Sequence, residues 1–562
     1  MSGKFVKKYI VEAILLAVIL AFYAGHSLFV GSQVYNYATD DISMIHSEFI
    51  PLLAAAVSSG DPGNIFRCIQ NMHYPPLYIF NGYLLATVLG KSWMLMNLVH
   101  NTFYLIMLLA FAYMLGSKVK DRVTGIISAV MLALLPPIYG TFTNFSIDFS
   151  VMSLTAVSMY LLYRSEMFKN TKWSLLLGLS CGLGMLTKDT FAVYIFGPAL
   201  YALYRAYSRM FEEEYSSLGN IAVFAILAAL VAFPYYLGES SMGWFLSGPF
   251  REATGLPWYS YANVRLLTIG ISESLLSPPF FVVFVIGLFF FLRKETPSSL
   301  KWMVALWIIV PSVIILIVPH WKTGRYLMPL LPAYTLVAAY GARGIAGSKI
   351  GRILLLAVLL IGIAQYPSIT FDTGLKLGTG DERVLPRFIR YFSYFDSNKP
   401  FYERLEVSRI KSAVYGAIER EMRFSEDRTT NIFVPYTFGG EIIYDTYFWF
   451  QGKNTKQYSF LGNAYTPSIL GKYQTYENIN DIKRYDYVVF MVRRKDDKGG
   501  EWLDLPFKTI EENLNKLHDK SIVNDKVLSL LESIWMEFKR SFPVRKRIYK
   551  DSYCSVYLYS RK

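Results

Sequence analysis

Two adjacent carboxylates, Asp40 and Asp41, lie in the segment Tyr35–Glu48, directly after the first long apolar run of the chain. A carboxylate can act as a general base on a hydroxyl group, and two neighbouring like charges raise the pKa of one member of the pair. An aspartate before a helix also accepts hydrogen bonds from free backbone N–H groups. The residue types alone therefore fit both capping and catalysis, and a position beside a membrane surface favours catalysis.

Basic residues also occur at two turns between apolar runs. Lys188, with Asp189 beside it, interrupts a long apolar stretch, and a charge in such surroundings is costly and tends to be functional. The alternative is a Lys–Asp pair that closes a tight turn. At the second turn, His320, Lys322 and Arg325 crowd together, and such cations suit a phosphate group. Here the alternative is anchoring to lipid headgroups.

Two further segments contain candidates. His73 and Tyr74 precede Pro75–Pro76, and the prolines predict an extended turn followed by a helix from Leu77. A rigid loop explains the prolines but leaves His73 unexplained, so we expect His73 to contact a ligand. Asp148 lies in the turn TNFSIDFS, where helix capping and a role in the site are both open.

The elements that position these residues are predicted membrane spans. The chain has 562 residues, of which 53% are hydrophobic, and many apolar runs have a length of about 17–22 residues, enough to cross a bilayer as a helix. The formal charge is +14, but Lys and Arg flank the apolar runs. They are therefore interpreted as topology signals and lipid contacts, and no nucleic-acid partner is expected. The three cysteines form no CxxC pair, which argues against a structural zinc site.

The flanking charges predict a direction for each span. Lys4, Lys7 and Lys8 precede the first run, about 9–30, so a cytoplasmic N-terminus and a retained first span are expected. Segment 31–92 then lies outside and contains helices along the membrane interface. About eleven spans are predicted in total. The others are about 93–115, 123–139, 149–163, 173–187, 190–206, 218–237, 275–292, 301–319, 326–341 and 353–367.

Residues 369–562 differ in composition from the rest, with dense charge and shorter apolar runs. Strand-like runs occur at 431–436, 485–492 and 553–559, and helical patterns near 401–422 and 525–540. We predict a transmembrane domain over 1–368 and a soluble mixed α/β domain over 369–562. The odd number of spans places the second domain outside the cell.

The predicted outer face gathers carboxylates near position 40 and cations near positions 188 and 322, a combination that fits group transfer from a lipid phosphate. A transporter is the first alternative. Ion-coupled carriers usually have ionisable residues near the bilayer midplane and repeated halves, whereas these charges collect at span ends. A membrane scaffold is the second alternative, and it would keep working after mutation of Asp40.

Four motifs in order resemble a known family. They are Asp40-Asp41 after the first span, Pro-Pro-Leu-Tyr from Pro75, a lone Lys188 after the glycine-rich GLSCGLGMLT, and Arg-Tyr-Leu-x-Pro-x-x-Pro from Arg325. Over roughly residues 1–345 the chain resembles the GT-C glycosyltransferases of the protein O-mannosyltransferase and aminoarabinose lipid A transferase type. It departs from relatives acting on lipid A, which have a basic residue where Tyr74 stands, and it has Asp41 where glutamate is common.

The resemblance implies an inverting transfer of a sugar from a polyprenyl phosphate to an acceptor protein, lipid or cell-wall glycan, in a multi-pass protein of the plasma membrane. It implies no nucleotide sugar at the site and no cofactor, although the acid pair leaves a divalent metal ion open. Asp40 would be the general base, with Asp41 beside it. The implied phosphate-binding residues are Lys188, Lys322, Arg325 and His73, and the implied pocket residues are Tyr326, His320, Asp148 and Tyr74.

Overall fold

A computed structural model describes residues 2–33, 50–70, 72, 74–90, 93–143, 146–210, 216–238, 259, 264, 266–293, 297–318, 324–371 and 540, together with five strands between 430 and 560. Five of the candidate residues, Asp40, Asp41, His73, His320 and Lys322, lie outside these ranges. The helical patterns predicted near 401–422 and 525–540 also lie outside them, apart from Arg540. The described residues fall into a helical unit and a separate sheet.

The helical unit consists of fifteen α-helices in the described ranges, with a π-helical segment at Leu266–Leu275 and a 3-10 helix at Gly324–Leu330. The α-helices are α1 (Ser2–Gln33), α2 (Ile50–Ser58), α3 (Pro62–Gln70), α4 (Pro76–Leu89), α5 (Trp93–Val119), α6 (Arg122–Leu134), α7 (Pro136–Phe142), α8 (Ile147–Arg164), α9 (Thr171–Thr187), α10 (Phe191–Met210), α11 (Ser216–Tyr236), α12 (Pro278–Phe291), α13 (Ser298–Ile317), α14 (Leu331–Ile345) and α15 (Lys349–Phe371).

Helix α8 is the most enclosed helix of this unit. Every residue from Ile147 to Leu162 is buried, and α8 packs against α5, α9, α10 and the 3-10 helix. Its hydroxyl groups have partners within the protein: Ser153 donates to the Tyr104 carbonyl at 3.0 Å, and Ser158 contacts Ser180 on α9 at 2.8 Å. Such hydrogen bonds between helices suit a membrane protein, in which buried polar groups have no water to bind.

Glycines allow two pairs of helices to approach closely. A Cβ atom at Gly178 of α9 would lie 2.6 Å from the Phe224 carbonyl oxygen of α11. Between α12 and α14, a Cβ atom at Gly341 would lie 2.2 Å from the Cα of Gly287. Small residues at helix contacts are typical of membrane bundles, where close backbone packing replaces the hydrophobic driving force.

Prolines and capping side chains define several helix starts. Proline occupies the first turn of α4, α7 and α12, where its missing N–H costs no helical hydrogen bond. The start of α4 at Pro76 agrees with the helix predicted from Leu77. Asn170 caps α9 by accepting a hydrogen bond from the Trp173 N–H at 3.3 Å, and Tyr74 lies half-buried before α4.

Each predicted span overlaps a described helix, but the predicted number of spans is not confirmed. Of the described helices, α1, α5, α11, α13 and α15 contain stretches long and apolar enough to cross a membrane, and α6 with α7 gives a sixth if the pair, bent by 58°, is one span. Helix α8 illustrates the physical reason. Its Ser, Thr and Asp residues make it less apolar, and burial among other helices removes the need for a lipid-facing surface.

Ion pairs join helix ends on the side predicted to be cytoplasmic. Arg122 at the start of α6 pairs with Glu12 of α1, which also accepts a hydrogen bond from the Tyr113 hydroxyl at 3.0 Å. Arg343 of α14 donates to Asp121 at 2.6 Å. Both pairs retain solvent exposure, so each is expected to contribute little to stability. Their main effect is to hold the helix ends next to one another.

Asp121 also caps α6. Its carboxylate accepts hydrogen bonds from the backbone N–H and the hydroxyl of Thr124, both at 2.8 Å. Partial burial raises the pKa of Asp121, but the hydrogen bonds from Thr124 and Arg343 outweigh that effect and hold the pKa below its ordinary value. The charged form is therefore favoured at this helix start.

The sheet contains β1 (Thr430–Phe433), β2 (Tyr458–Phe460), β3 (Tyr487–Arg493), β4 (Val544–Lys550) and β5 (Cys554–Ser560), in the order β2-β1-β3-β5-β4. The contacts of β1 with β2 and β3 are parallel, and those of β5 with β3 and β4 are antiparallel. Strands β1, β3 and β5 lie at the predicted strand-like runs. The mixed α/β fold predicted for this region is not confirmed, because its helices lie outside the described residues.

Candidate functional site

A buried ion pair lies at the end of α9. Lys188 directly follows this helix and donates a hydrogen bond from Nζ to Oδ1 of Asp148 at 2.7 Å. The two side chains are only 6% and 9% exposed. Removing two charges from water is costly, so a buried ion pair is weak evidence for stability. Inside a membrane protein it more often marks a functional position.

This pairing bears on two alternatives left open by the sequence. Lys188 contacts Asp148 across 40 positions of the chain rather than closing the turn with its neighbour Asp189. Asp148 lies in the first turn of α8, but the N-cap residue is Ser146. Asp148 is therefore not the N-cap residue of α8, and the packing of α8 against α9 brings the two charges together.

The ring of Tyr326 lies beside two cations. Lys188 Nζ is 4.9 Å from the ring centroid, and Arg325 Cζ is 5.3 Å from it. Cations over an aromatic face within about 6 Å are attracted by the ring. The Tyr194 hydroxyl of α10 donates to the Tyr326 carbonyl at 2.8 Å and fixes the 3-10 helix. Four predicted residues, Asp148, Lys188, Arg325 and Tyr326, thus lie in one neighbourhood.

Asp189 adds a second carboxyl group next to Lys188. Its Oδ1 accepts a hydrogen bond from the Thr190 N–H at 2.7 Å. Burial raises the pKa of Asp189, and although the charge of Lys188 lowers it, the net shift is upward. The carboxyl group interacts electrostatically with Tyr235 and Tyr236 at the end of α11. Burial in this turn between α9 and α10 therefore opposes the charged form of Asp189 more strongly than Lys188 favours it.

The two tyrosines of α11 connect this turn to the segment before α4. The Tyr235 hydroxyl donates to the Met72 carbonyl at 3.1 Å, and the Tyr236 hydroxyl donates to the Met185 carbonyl of α9 at 3.1 Å. Sequence reasoning did not select either residue. The signal that could have found them is a pair of tyrosines at the end of an apolar run, where an amphipathic ring suits the membrane interface.

A histidine that the sequence reasoning also missed supports the first turn of α8. His100 of α5 is buried, with Nδ1 3.0 Å from Asn101 Oδ1 and Nε2 3.4 Å from the Ser150 hydroxyl. The Tyr78 ring of α4 lies perpendicular to it at a centroid distance of 5.5 Å. His100 therefore ties α4 and α5 to the turn that carries Asp148.

A group of three or more His, Cys, Asp or Glu side chains able to hold a metal ion is not found among the described residues. Within that part of the chain, the chemistry of the site is that of an ammonium and a guanidinium group near two carboxyl groups and tyrosine rings. Cations held in buried surroundings can bind a phosphate group and stabilise negative charge as it develops. Asp40 and Asp41, the predicted base and its neighbour, lie outside the described residues.

Comparison with known families gives one match. Residues 72–233 match the family described as dolichyl-phosphate-mannose-protein mannosyltransferase. This stretch includes the Pro-Pro turn, Asp148 and Lys188. The resemblance predicted from the sequence is confirmed, and the predicted enzyme class, glycosyltransferase, is the class of the matched family. No curated protein matches the sequence at a significant level.

Comparison with solved structures extends the likeness to almost the whole chain. ArnT from Cupriavidus metallidurans in the apo state has a TM-score of 0.60 at 10% identity, with 98% of each chain covered. The same protein bound to undecaprenyl phosphate has a TM-score of 0.57 at 10% identity, with 97% of this chain and 98% of that chain covered. These values show a shared fold, and the apolar helices agree with a multi-pass membrane protein.

Proposed function

We propose that this chain is an integral membrane glycosyltransferase that moves a sugar from a polyprenyl phosphate to a hydroxyl group of an extracytoplasmic acceptor. The observation that carries the proposal is the buried Lys188–Asp148 pair beside Tyr326. Lys188 lies in the stretch that matches the mannosyltransferase family. The fold that contains the pair is shared with a protein solved with bound undecaprenyl phosphate, which supports the donor class.

Lys188 is the proposed contact to the donor phosphate. Its ammonium group is oriented by Asp148 at 2.7 Å and lies beside the Tyr326 ring, and an ammonium group is a suitable partner for a phosphate oxygen. Arg325 near the same tyrosine ring supplies a second cation. Lys322 and His73 complete the proposed phosphate site, with His320 and Tyr74 in the pocket.

Asp40 is the proposed general base, with Asp41 beside it. The carboxylate takes the proton of the acceptor hydroxyl while the hydroxyl oxygen attacks the anomeric carbon. The bond from that carbon to the phosphate oxygen breaks, and the polyprenyl phosphate leaves with the electron pair. Direct attack from the opposite face inverts the anomeric configuration. Lys188 and Arg325 stabilise the negative charge that the phosphate gains.

The proposed orientation follows the flanking charges. The N-terminus is cytoplasmic, and residues 369–562 are outside, where they select the acceptor protein, lipid or cell-wall glycan. In this orientation the turn that carries Lys188 and the segment that carries Asp40 face the same side of the plasma membrane.

The test is turnover by the purified protein in lipid nanodiscs. A panel of polyprenyl-phosphate sugars is supplied with a mixture of peptide, lipid and glycan acceptors, and released polyprenyl phosphate is measured. Asp40→Asn removes the base, and we expect it to reduce release by at least about 100-fold. Asp61→Asn is the matched control, because Asp61 is exposed at the start of α3 and asparagine caps a helix as well as aspartate does.

Three results are informative. Release that disappears with Asp40→Asn but persists with Asp61→Asn supports both the class and the base. If release persists with Asp40→Asn, the proposed enzyme class stands, but the general base is another carboxylate. Asp41 is then tested first and Asp148 second. If the folded protein releases no polyprenyl phosphate from any donor, the proposed function is wrong, and transport of a lipid-linked substrate becomes the next hypothesis.

A further inference from the structure

Helix α5 has a polar stripe within an apolar span. The stripe consists of four residues at intervals of three or four positions, which places them on one face of the helix: Asn97, His100, Asn101 and Tyr104. The last three are buried, whereas Val99 on the opposite face is exposed. Polar side chains in a membrane span are costly and tend to be functional, so the polar stripe requires an explanation.

Two amides of the polar stripe hold the turn that precedes α8. The Asn101 side chain donates to the Phe142 carbonyl at 2.6 Å, and the Asn97 side chain donates to the Thr143 carbonyl at 3.3 Å. Phe142 is the last residue of α7, and the carbonyl groups at the end of a helix have no partner within it. Two consecutive backbone groups ahead of α8 are therefore bound by side chains one helical turn apart on α5.

The first turn of α8 depends on these contacts from α5. Within the described residues, the N-cap residue Ser146 makes no capping hydrogen bond with its side chain. His100 Nε2 lies 3.4 Å from the Ser150 hydroxyl at the other end of this turn. The same turn contains Asp148, which binds the Lys188 ammonium group at 2.7 Å. The position of Asp148, and with it the direction of the ammonium group, therefore depends on the polar stripe.

The polar stripe also contacts α4 on its other side. The Asn81 amide of α4 donates to the Tyr104 hydroxyl at 3.1 Å, and the Tyr78 ring lies perpendicular to the His100 ring at a centroid distance of 5.5 Å. Helix α4 begins directly after the Pro-Pro turn. One face of α5 therefore joins the two segments that the proposed function assigns to the donor, the segment ahead of α4 and the turn after α9.

We propose that the polar stripe positions the donor site, with Asn101 as its main positioning residue. The inference rests on the proposed function, because that function assigns Lys188 to the donor phosphate. Asn101 fixes the turn before α8, Asp148 directs the ammonium group, and the ammonium group stabilises the charge of the departing polyprenyl phosphate. Loss of the Asn101 amide misplaces the ammonium group without removing a group that touches the substrate.

Asn101→Leu tests this role, because leucine has a similar size and lacks the amide. A displacement of about 1 Å at a site can reduce a rate by about 100-fold, so we expect kcat for release of polyprenyl phosphate to fall by about 10- to 100-fold. KM should change by less than about threefold, because the charge that the ammonium group stabilises is greatest in the transition state. Turnover is measured with the full-length protein in nanodiscs, below its unfolding temperature.

Asn220→Leu is the matched control. Asn220 is also buried, and its amide donates to the Phe168 and Lys169 carbonyls at 2.8 and 3.0 Å, so it also holds a turn between helices. That turn precedes α9, whose 17 residues separate it from Lys188 by about 25 Å. Both variants should lower the thermal unfolding temperature, since each removes a buried donor from backbone carbonyl groups. Asn220→Leu should keep the wild-type kcat.

A second variant keeps the inference testable if Asn101→Leu does not fold. Asn97→Leu removes the longer contact of the polar stripe, together with an Oδ1 atom that is buried without a hydrogen-bond partner in the described part of the chain, so its cost to stability is smaller. Its kcat should fall by about 3- to 10-fold. Either variant is then added to a protein with Asp148→Leu and Lys188→Met, where it should cause no further loss of kcat.

The outcomes distinguish this inference from the proposed function. A loss of kcat that the stripe variants show, that Asn220→Leu lacks, and that disappears once Asp148 and Lys188 are replaced supports the inference. If the folded stripe variants have the kcat of Asn220→Leu, or if their loss persists without Asp148 and Lys188, the inference is overturned and the proposed function stands. If the wild-type protein releases no polyprenyl phosphate from any donor, the proposed function is contradicted, and the inference is overturned with it.

Discussion

The Lys188–Asp148 pair allows function to be tested separately from stability. Its side chains are 6% and 9% exposed, so the energetics of a buried pair apply rather than those of a surface pair. Lys188→Met leaves the Asp148 carboxylate without its 2.7 Å partner, and Asp148→Leu leaves the ammonium group without its carboxylate. Each single change is expected to destabilise the fold by about 3–5 kcal/mol.

The double variant Asp148→Leu with Lys188→Met is expected to behave differently. Both charges disappear and apolar groups of similar size replace them, so its free energy of unfolding should lie within about 1 kcal/mol of the wild-type value or above it. Release of polyprenyl phosphate should nevertheless fall by about 100-fold or more, because the cation that stabilises the leaving phosphate is absent. The assays are thermal unfolding in nanodiscs and donor turnover.

A remote ion pair is the control for this experiment. Glu12→Gln with Arg122→Gln removes the pair between α1 and α6, and turnover should remain at the wild-type level. If the double variant at Lys188 and Asp148 loses as much free energy of unfolding as the two single variants together, the pair serves stability rather than function. If that double variant is stable and keeps its turnover, the donor phosphate binds elsewhere.

Three further changes test two positions at the site and one helix start on the side predicted to be cytoplasmic. Gly184→Ala would place a Cβ 2.4 Å from the Phe191 ring and should displace the turn after α9, raising KM for the donor. Gly219→Ala, with nothing within 4 Å, should leave KM unchanged, and equal effects of the two would refute the steric argument. Tyr326→Leu should weaken donor binding by about 3- to 30-fold, the value of one cation–π contact, whereas Tyr326→Phe keeps the ring and should bind more tightly than Tyr326→Leu. Asp121→Asn should lower stability by up to about 1 kcal/mol at neutral pH. Because the native pKa of Asp121 is lowered, the stability difference between the wild-type protein and Asp121→Asn is complete above the ordinary carboxyl pKa of about 4. The difference is lost as the pH falls through the native pKa. A stability difference that persists at low pH would contradict the ion pair.

The order of the helices could be predicted because their signals are local. Apolar runs, flanking Lys and Arg, and the prolines at 75–76 and 136–137 mark helix positions within single segments. The strand-like runs at β1, β3 and β5 are local signals of the same kind. Strand β4, with the sequence VRKRIYK, was not predicted, because its charged side chains obscure the alternation of apolar and polar residues. Its pairing with β5 depends on tertiary structure.

The pairing of site residues could be predicted only in part. The sequence selects Lys188 because a lone cation in an apolar stretch is unusual. It cannot show that Asp148 is the partner, because the contact depends on how α8 packs against α9. The same holds for Tyr235 and Tyr236, whose contacts with Met72 and Met185 depend on the position of α11.

The most direct test of the account is an experimental structure of the protein with a bound polyprenyl phosphate in a lipid nanodisc. The account predicts a phosphate within hydrogen-bond distance of Lys188 Nζ, next to the Tyr326 ring, with the lipid tail leaving toward the bilayer. A phosphate bound away from Lys188, with the Lys188–Asp148 pair untouched, would contradict the account.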